Sequence, residues 1–211
     1  MLPQSSIPPE QEHFLLNGKR WQVEQVDHRS LTVEVLPARS RNRPLFMGSG
    51  GSIHRTIVEK MKEVLADDRA PAYLHADAAT LLEAARTYSR KLGLLEMPWL
   101  EDAGTCIVFP WTGTKGMKTL RLCAVLDEIP VDVRQLGITY HVPPDVLEQH
   151  LKKVAAKEFD PIALAEALED RFKDKFDEFL PEVILHFSNS VREISRDDAS
   201  DACIEILRRG R

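Results

Sequence analysis

The sequence predicts an α+β fold in three parts: a small antiparallel N-terminal sheet, a mixed α/β unit and a helical C-terminal segment. Three observations carry that reading. Short β-branched and aromatic runs crowd the stretch from Phe14 to Leu36. Between Ile53 and Ala156 the apolar period alternates between strand-like and helix-like. From Asp160 onward apolar residues recur at helical steps among charged ones. The parts are bounded at 1–13 (a flexible lead-in), 14–47 (antiparallel strands), 48–157 (the α/β unit) and 158–211 (helices), with 14–211 expected as one compact domain.

The lead-in holds Pro3, Pro8 and Pro9 and no apolar run of the kind a signal peptide needs. Asn17-Gly18 suits the positive φ angles of a two-residue hairpin turn, so residues 14–16 and 19–26 are expected to pair. Trp21, Val23 and Val26 are assigned to one side of the second strand and Gln22 and Glu24 to the other. Residues 27–30 then turn the chain into a third strand at 31–36. The connector 37–44 carries Arg39, Arg41 and Arg43 with no acidic residue among them. A glycine-serine passage at 48–52 leads into a helix over 53–65, with Ser52 as N-cap and an apolar stripe at Ile53, Ile57, Met61, Val64 and Leu65. Pro71 lies in the break that follows, and a second helix is expected over 76–92 with Gly93 as its stop.

Residues 105–109 are β-branched or aromatic, Pro110 and Gly113 supply a break, and after Gly116 the apolar residues Met117, Leu120, Leu122, Ala124, Val125 and Leu126 follow a helical repeat that ends near Ile129. A buried strand therefore runs into a helix whose start carries Lys115 and Lys118. Helix starts present unpaired N–H groups, so this one is suited to a phosphate or another anion. The spacing of Gly113-Thr114-Lys115-Gly116-Met117-Lys118-Thr119 is not that of a nucleotide-binding P-loop. A strand-to-helix turn with solvated lysines accounts for the same residues. Trp99 and Trp111 flank the strand; Trp111 is suited to stacking on a base and equally to a buried position.

Return strands are expected at 130–133 and 137–142, then a helix at 146–156 opened by Pro144 and Asp145 and another at 162–169 opened by Asp160-Pro161. Between 170 and 180 charge alternates with Phe172, Phe176 and Phe179, which share one face of a helix. Pro181 ends or kinks that helix before 183–187. A last short helix, 202–207, has Asp197, Asp198 and Asp201 at its start and Arg208, Arg209 and Arg211 at its end, as the helix dipole favours.

With 28 basic and 33 acidic residues the net charge is −5, so any contact with nucleic acid or anionic membrane must be a local patch. Cys106, Cys123 and Cys203 are odd in number and widely spaced, which argues against a disulfide framework or a zinc site and for a reducing compartment. No apolar run is long enough to suggest a membrane span, and a cytoplasmic location is expected. The signatures of zinc hydrolases, zinc ribbons and serine hydrolases are absent. The seven histidines are scattered, although His54 and His75 could meet in space. No catalytic residue, metal site or cofactor is therefore assigned.

One set of segments is similar to a known family. Phe14-Leu15-Leu16-Asn17-Gly18-Lys19-Arg20-Trp21-Gln22-Val23, the passage from Gly48 to His54, Pro71-Ala72-Tyr73-Leu74, Phe109-Pro110-Trp111-Thr112-Gly113-Thr114-Lys115, and Lys175-Phe176-Asp177-Glu178-Phe179-Leu180-Pro181-Glu182 occur in an order that resembles the C-terminal accessory region of large helicase-related (Lhr-like) DEAD/DEAH-box helicases. The resemblance spans about Phe14 to Ile194. It implies a region that follows two RecA-like motor domains and a winged-helix domain and helps form the passage for the translocating strand. No Walker A lysine and no Asp-Glu-x-His occurs here, so ATP hydrolysis does not carry over.

The resemblance thus implies a non-catalytic nucleic-acid-binding accessory domain, acting in DNA repair or defence with motor domains supplied in cis or in trans. Its contacts with single-stranded or branched nucleic acid would be Arg39, Arg41 and Arg43 on backbone phosphate, Lys115 and Lys118 at the helix start, and Trp111 by stacking. The alternative is a protein-interaction or scaffold domain that docks a partner through an acidic and aromatic surface at Phe172, Phe176 and Phe179. The helical spacing of those rings points first to core packing; solvent exposure would reverse that.

Overall fold

The computed structural model describes residues 13–16, 19–27, 32–38, 51–69, 71–134, 136–174 and 176–210. Strands β1 (His13–Leu16), β2 (Lys19–Asp27) and β3 (Thr32–Pro37) form an antiparallel sheet in that order. The Asn17-Gly18 turn, the turn residues 28–30 and Arg39, Arg41 and Arg43 lie outside the described residues. Pairing slips between Val23 and Gln25, so that one residue of β2 is extra. That bulge reverses the side-chain alternation and explains why Val26 follows Val23 inward, opposite Val33, while Glu24 and Gln25 are exposed.

The chain divides into two compact units, Met1–Gly51 and Ser52–Arg211, where the sequence suggests one over 14–211. The division falls in the glycine-serine passage. In the second unit α1 (Arg55–Ala66) starts from His54, whose Nδ1 accepts the Thr56 N–H at 3.3 Å; the predicted cap, Ser52, stands outside the helix. The predicted apolar stripe is also turned the other way. Ile53, Ile57, Met61 and Val64 are exposed, and α1 buries only Val58 fully, because its inner side carries Arg55, Glu59 and Lys62 into ion pairs. Helix α2 (Ala76–Leu92) ends as predicted at Gly93, which takes a left-handed φ of 63°.

Strands β4 (Leu100–Asp102) and β5 (Thr105–Val108) form a hairpin in which Ala103 and Gly104 have φ of 47° and 82°. Two consecutive positive φ angles are what a tight hairpin of this hand requires. The sequence reading missed β4, since Leu100-Glu101-Asp102 has no β-branched residue. After α3 (Thr114–Leu126) come β6 (Val131–Val133) and β7 (Ile138–Tyr140), giving an antiparallel sheet in the order β4-β5-β7-β6. Helices α4 (Pro144–Ala155), α5 (Pro161–Glu166), α6 (Glu182–Glu193) and α7 (Arg196–Arg209) complete the unit. Helix α7 is longer than the predicted 202–207, because the Ser195 hydroxyl accepts the Asp198 N–H and caps it earlier.

Helix α3 is the centre of the core. It buries Met117, Leu120, Leu122 and Cys123 against Val108 and Tyr140 of the sheet, Leu147 and Leu151 of α4, and Cys203 and Ile206 of α7. All three cysteines are free, and burial pushes the Cys123 thiol up to about 12. Among the described residues no helix is long and apolar enough to cross a membrane.

One buried polar cluster makes stability sensitive to acid. His150 of α4 is 2% exposed and its Nδ1 lies 2.7 Å from Asp127 Oδ2, while the Lys153 ammonium reaches the other carboxylate oxygen at 3.0 Å. Burial pushes the His150 imidazole below its ordinary value, against the upward pull of Asp127. Burial would raise the Asp127 carboxyl, but the bonds from His150 and Lys153 outweigh it and hold it low. Both shifts have the same consequence. As pH falls through about 6.5 the unfolded chain takes up a proton that folded His150 refuses, and below about 4 the same holds for Asp127. Urea midpoints are therefore expected to drop from pH 7.5 to pH 5, and less so in a His150→Gln chain. An equal drop in both chains would remove His150 from this account.

Candidate functional site

The start of α3 is built differently from the sequence expectation. The helix opens at Thr114, before Gly116, and Gly113 precedes it with no side-chain cap. Segment 53–55 lies against it: the Thr114 N–H donates to the Ile53 carbonyl at 2.9 Å, and the Ile53 N–H donates to Thr114 Oγ1 at 2.8 Å. Two of the segments that carry the resemblance thus brace each other. One of the helix-start donors is already spent inside the chain.

Of the six predicted contact residues, Arg39, Arg41 and Arg43 lie outside the described residues. Trp111 is 6% exposed, its φ is +50° and its Nε1 is buried without a partner, so its ring offers no open face for a base. The Lys118 ammonium pairs with Glu193 of α6. Lys115 alone is exposed and makes no ion pair among the described residues.

Beside this turn a cleft of about 360 Å³ opens between α1, α7 and residues 110–112. Five carboxylates line it, from Glu59, Glu63, Asp198, Asp201 and Glu205, against the two cations Arg55 and Lys62. The Arg55 guanidinium donates to Asp201 and Glu59, each at 2.7 Å, and to Asp198 at 3.2 Å. Those hydrogen bonds, Asp201 first, raise its already high pKa. Glu205 receives both Lys62 and Arg209. The cleft is an internally compensated ionic seam with surplus negative charge, which disfavours a polyanion.

His54 and His75 each cap a helix: His75 Nδ1 accepts the Asp77 N–H at 3.4 Å, as His54 Nδ1 accepts that of Thr56. Among the described residues no group of three or more His, Cys, Asp or Glu side chains is placed to hold a metal ion.

The segment before α6 departs furthest from expectation. Of the described residues between 171 and 180 only Asp177–Phe179 are helical, in one 3-10 turn. The reason is Asp177, a residue 3% exposed, whose Oδ2 accepts the N–H groups of Lys173 at 2.8 Å and Asp174 at 2.9 Å and so competes with helical bonding. Asn189 of α6, fully buried, donates to the Arg171 carbonyl at 2.9 Å, and Arg192 sits 3.7 Å from Asp177 and 3.8 Å from Asp174. The polar groups pin the segment from inside, and the rings are left outside. Phe172, Phe176 and Phe179 are exposed, and so are Val183, Ile184, Phe187 and Val191 of α6, all seven at 51–78%. The core-packing expectation for the three phenylalanines is thereby reversed. The α6 residues went unnoticed in the sequence, although their spacing of four was legible and only the inward Leu185 and Asn189 fix which side faces solvent.

Scans of the chain against protein-family models, curated proteins and solved structures find no match.

Proposed function

We propose that this chain is an accessory domain that docks a protein partner through the aromatic face of residues 172–191. One observation supports it: buried Asp177 and Asn189 hold the backbone while the rings around them point to solvent. Large apolar side chains exposed together, rather than scattered singly, are a mark of interaction sites. On the resemblance, the partner is a DEAD/DEAH-box motor, in cis or in trans, and this chain performs no chemistry itself. The test is binding of the full chain to a purified motor comprising two RecA-like domains and a winged helix. A Phe179→Ser/Phe187→Ser chain is expected to bind at least tenfold more weakly. Undiminished binding by a folded double variant would exclude this face.

A second reading, contact with a nucleic-acid strand beside the motor, is favoured by Lys115. It stands exposed in the first turn of α3, which contains no acid. Arg39, Arg41 and Arg43 lie outside the described residues, and the pairing of Lys118 and the burial of Trp111 leave those two less to give. Affinity for single-stranded DNA is then expected to fall steeply with salt and to weaken in Lys115→Ala. Salt-independent or undetectable binding removes this reading without touching the first.

A further inference from the structure

Resting on the docking reading, we infer that the occupant of the 172–191 face is a single amphipathic helix with lysine or arginine beside its apolar stripe. The first argument is period. Val183, Phe187 and Val191 stand four residues apart along α6 and form an exposed ridge two turns long, about 12 Å. Ridges of that spacing pack into the grooves of another helix. A partner strand would need unpaired backbone groups to bond to, and the middle of α6 offers none because its N–H and C=O groups are used within the helix.

The second argument is charge. Glu178 and Glu182 stand exposed on either side of the turn that leads from Phe179 into α6. Glu182 has only Arg171 at 4.0 Å, and Glu178 makes no ion pair among the described residues. Arg192 is turned to Asp174 and Asp177, and Lys173 to Asp170. Among the described residues this end of the face therefore carries two carboxylates with no cation nearer than 4.0 Å, beside an apolar ridge. A cationic flank on the incoming helix complements them, whereas an anionic lipid surface is repelled.

The test uses the full chain and two synthetic 14-residue helical peptides with the same leucine face, one flanked by lysines and one by glutamates, followed by fluorescence anisotropy. The lysine peptide is expected to bind about tenfold more tightly at low salt. The preference should reverse in Glu178→Lys/Glu182→Lys, and both peptides should be lost in Phe187→Ser, with circular dichroism confirming that each variant folds. Equal affinity for the two peptides overturns the inference. So does sedimentation showing a dimer that Phe187→Ser dissociates, since the occupant is then a second copy. If neither peptide binds while the motor does and the Phe179→Ser/Phe187→Ser chain loses it, the helix is wrong and the docking face stands. If that double variant binds the motor normally, the docking reading fails as well.

Discussion

Gly113→Ala is expected to lower the stability of the Ser52–Arg211 unit by about 2–3 kcal/mol, as for overpacking against atoms that cannot move. A Cβ at this position would fall 2.6 Å from the Arg55 nitrogen and 2.7 Å from the Ile53 carbonyl oxygen, both backbone atoms. Neither can retreat cheaply, because Ile53 is tied to Thr114 through its N–H and its carbonyl, and Arg55 is held by Glu59, Asp198 and Asp201. Gly113 has φ −75°, a conformation open to any residue, so the cost is steric rather than conformational. Gly210→Ala is the control: its nearest neighbour would be Pro98 at 3.6 Å, an ordinary contact, and a change within about 0.5 kcal/mol is expected. Urea unfolding followed by tryptophan fluorescence measures both. A Gly113→Ala chain as stable as the parent would mean that segment 53–55 does not brace the start of α3.

That contact also shows where sequence reasoning stops. Gly113 was legible as a break between strand and helix, and the break is there. What the helix start would meet was not, since Ile53 lies 61 residues from Thr114 and no local pattern links them. The same division runs through the fold. Helix α2 and its Gly93 stop follow from local signals, periodicity and a left-handed cap, and both are found. The orientation of α1 depends on charges on α7 that its own pattern does not contain, so its apolar stripe was expected inward and is found outward.

At the candidate surface the failure has a single cause. Phe172, Phe176 and Phe179 have helical spacing, and burial of large apolar residues is the stronger general rule. Asp177 overrides it locally. Its carboxylate satisfies two backbone N–H groups and is itself buried, which turns the chain so that the rings project outward. An acid set between phenylalanines was visible in the sequence, but its capping role needed the backbone around it.

The second large effect is expected at Arg86, where a charged side chain does the work of a core. Its guanidinium, in a residue only 1% exposed, donates to the Val64 carbonyl through Nε at 3.1 Å and Nη2 at 2.9 Å, to the Arg69 carbonyl at 3.1 Å and to Glu83 at 2.6 Å. Val64 lies in the last turn of α1, where carbonyls have no intrahelical partner, so Arg86 of α2 caps α1 from outside. Little else joins the two helices. The only fully buried residues are Val58 in α1 and Arg86 and Ser89 in α2, and burying one valine contributes about 1.5 kcal/mol. Arg86→Met keeps the length of the side chain but leaves two carbonyls without their donor, at a cost of about 3 kcal/mol. Because the α1–α2 pair is joined so sparsely, the loss should be local. Amide hydrogen exchange is expected to accelerate across α1 and the first turns of α2 while the β5 and β7 amides keep their protection. Arg86→Lys, whose single ammonium cannot serve both carbonyls, should fall between the two chains. Exchange in α1 that is unchanged by Arg86→Met would show that the ion pairs to α7, rather than this arginine, hold the helix in place.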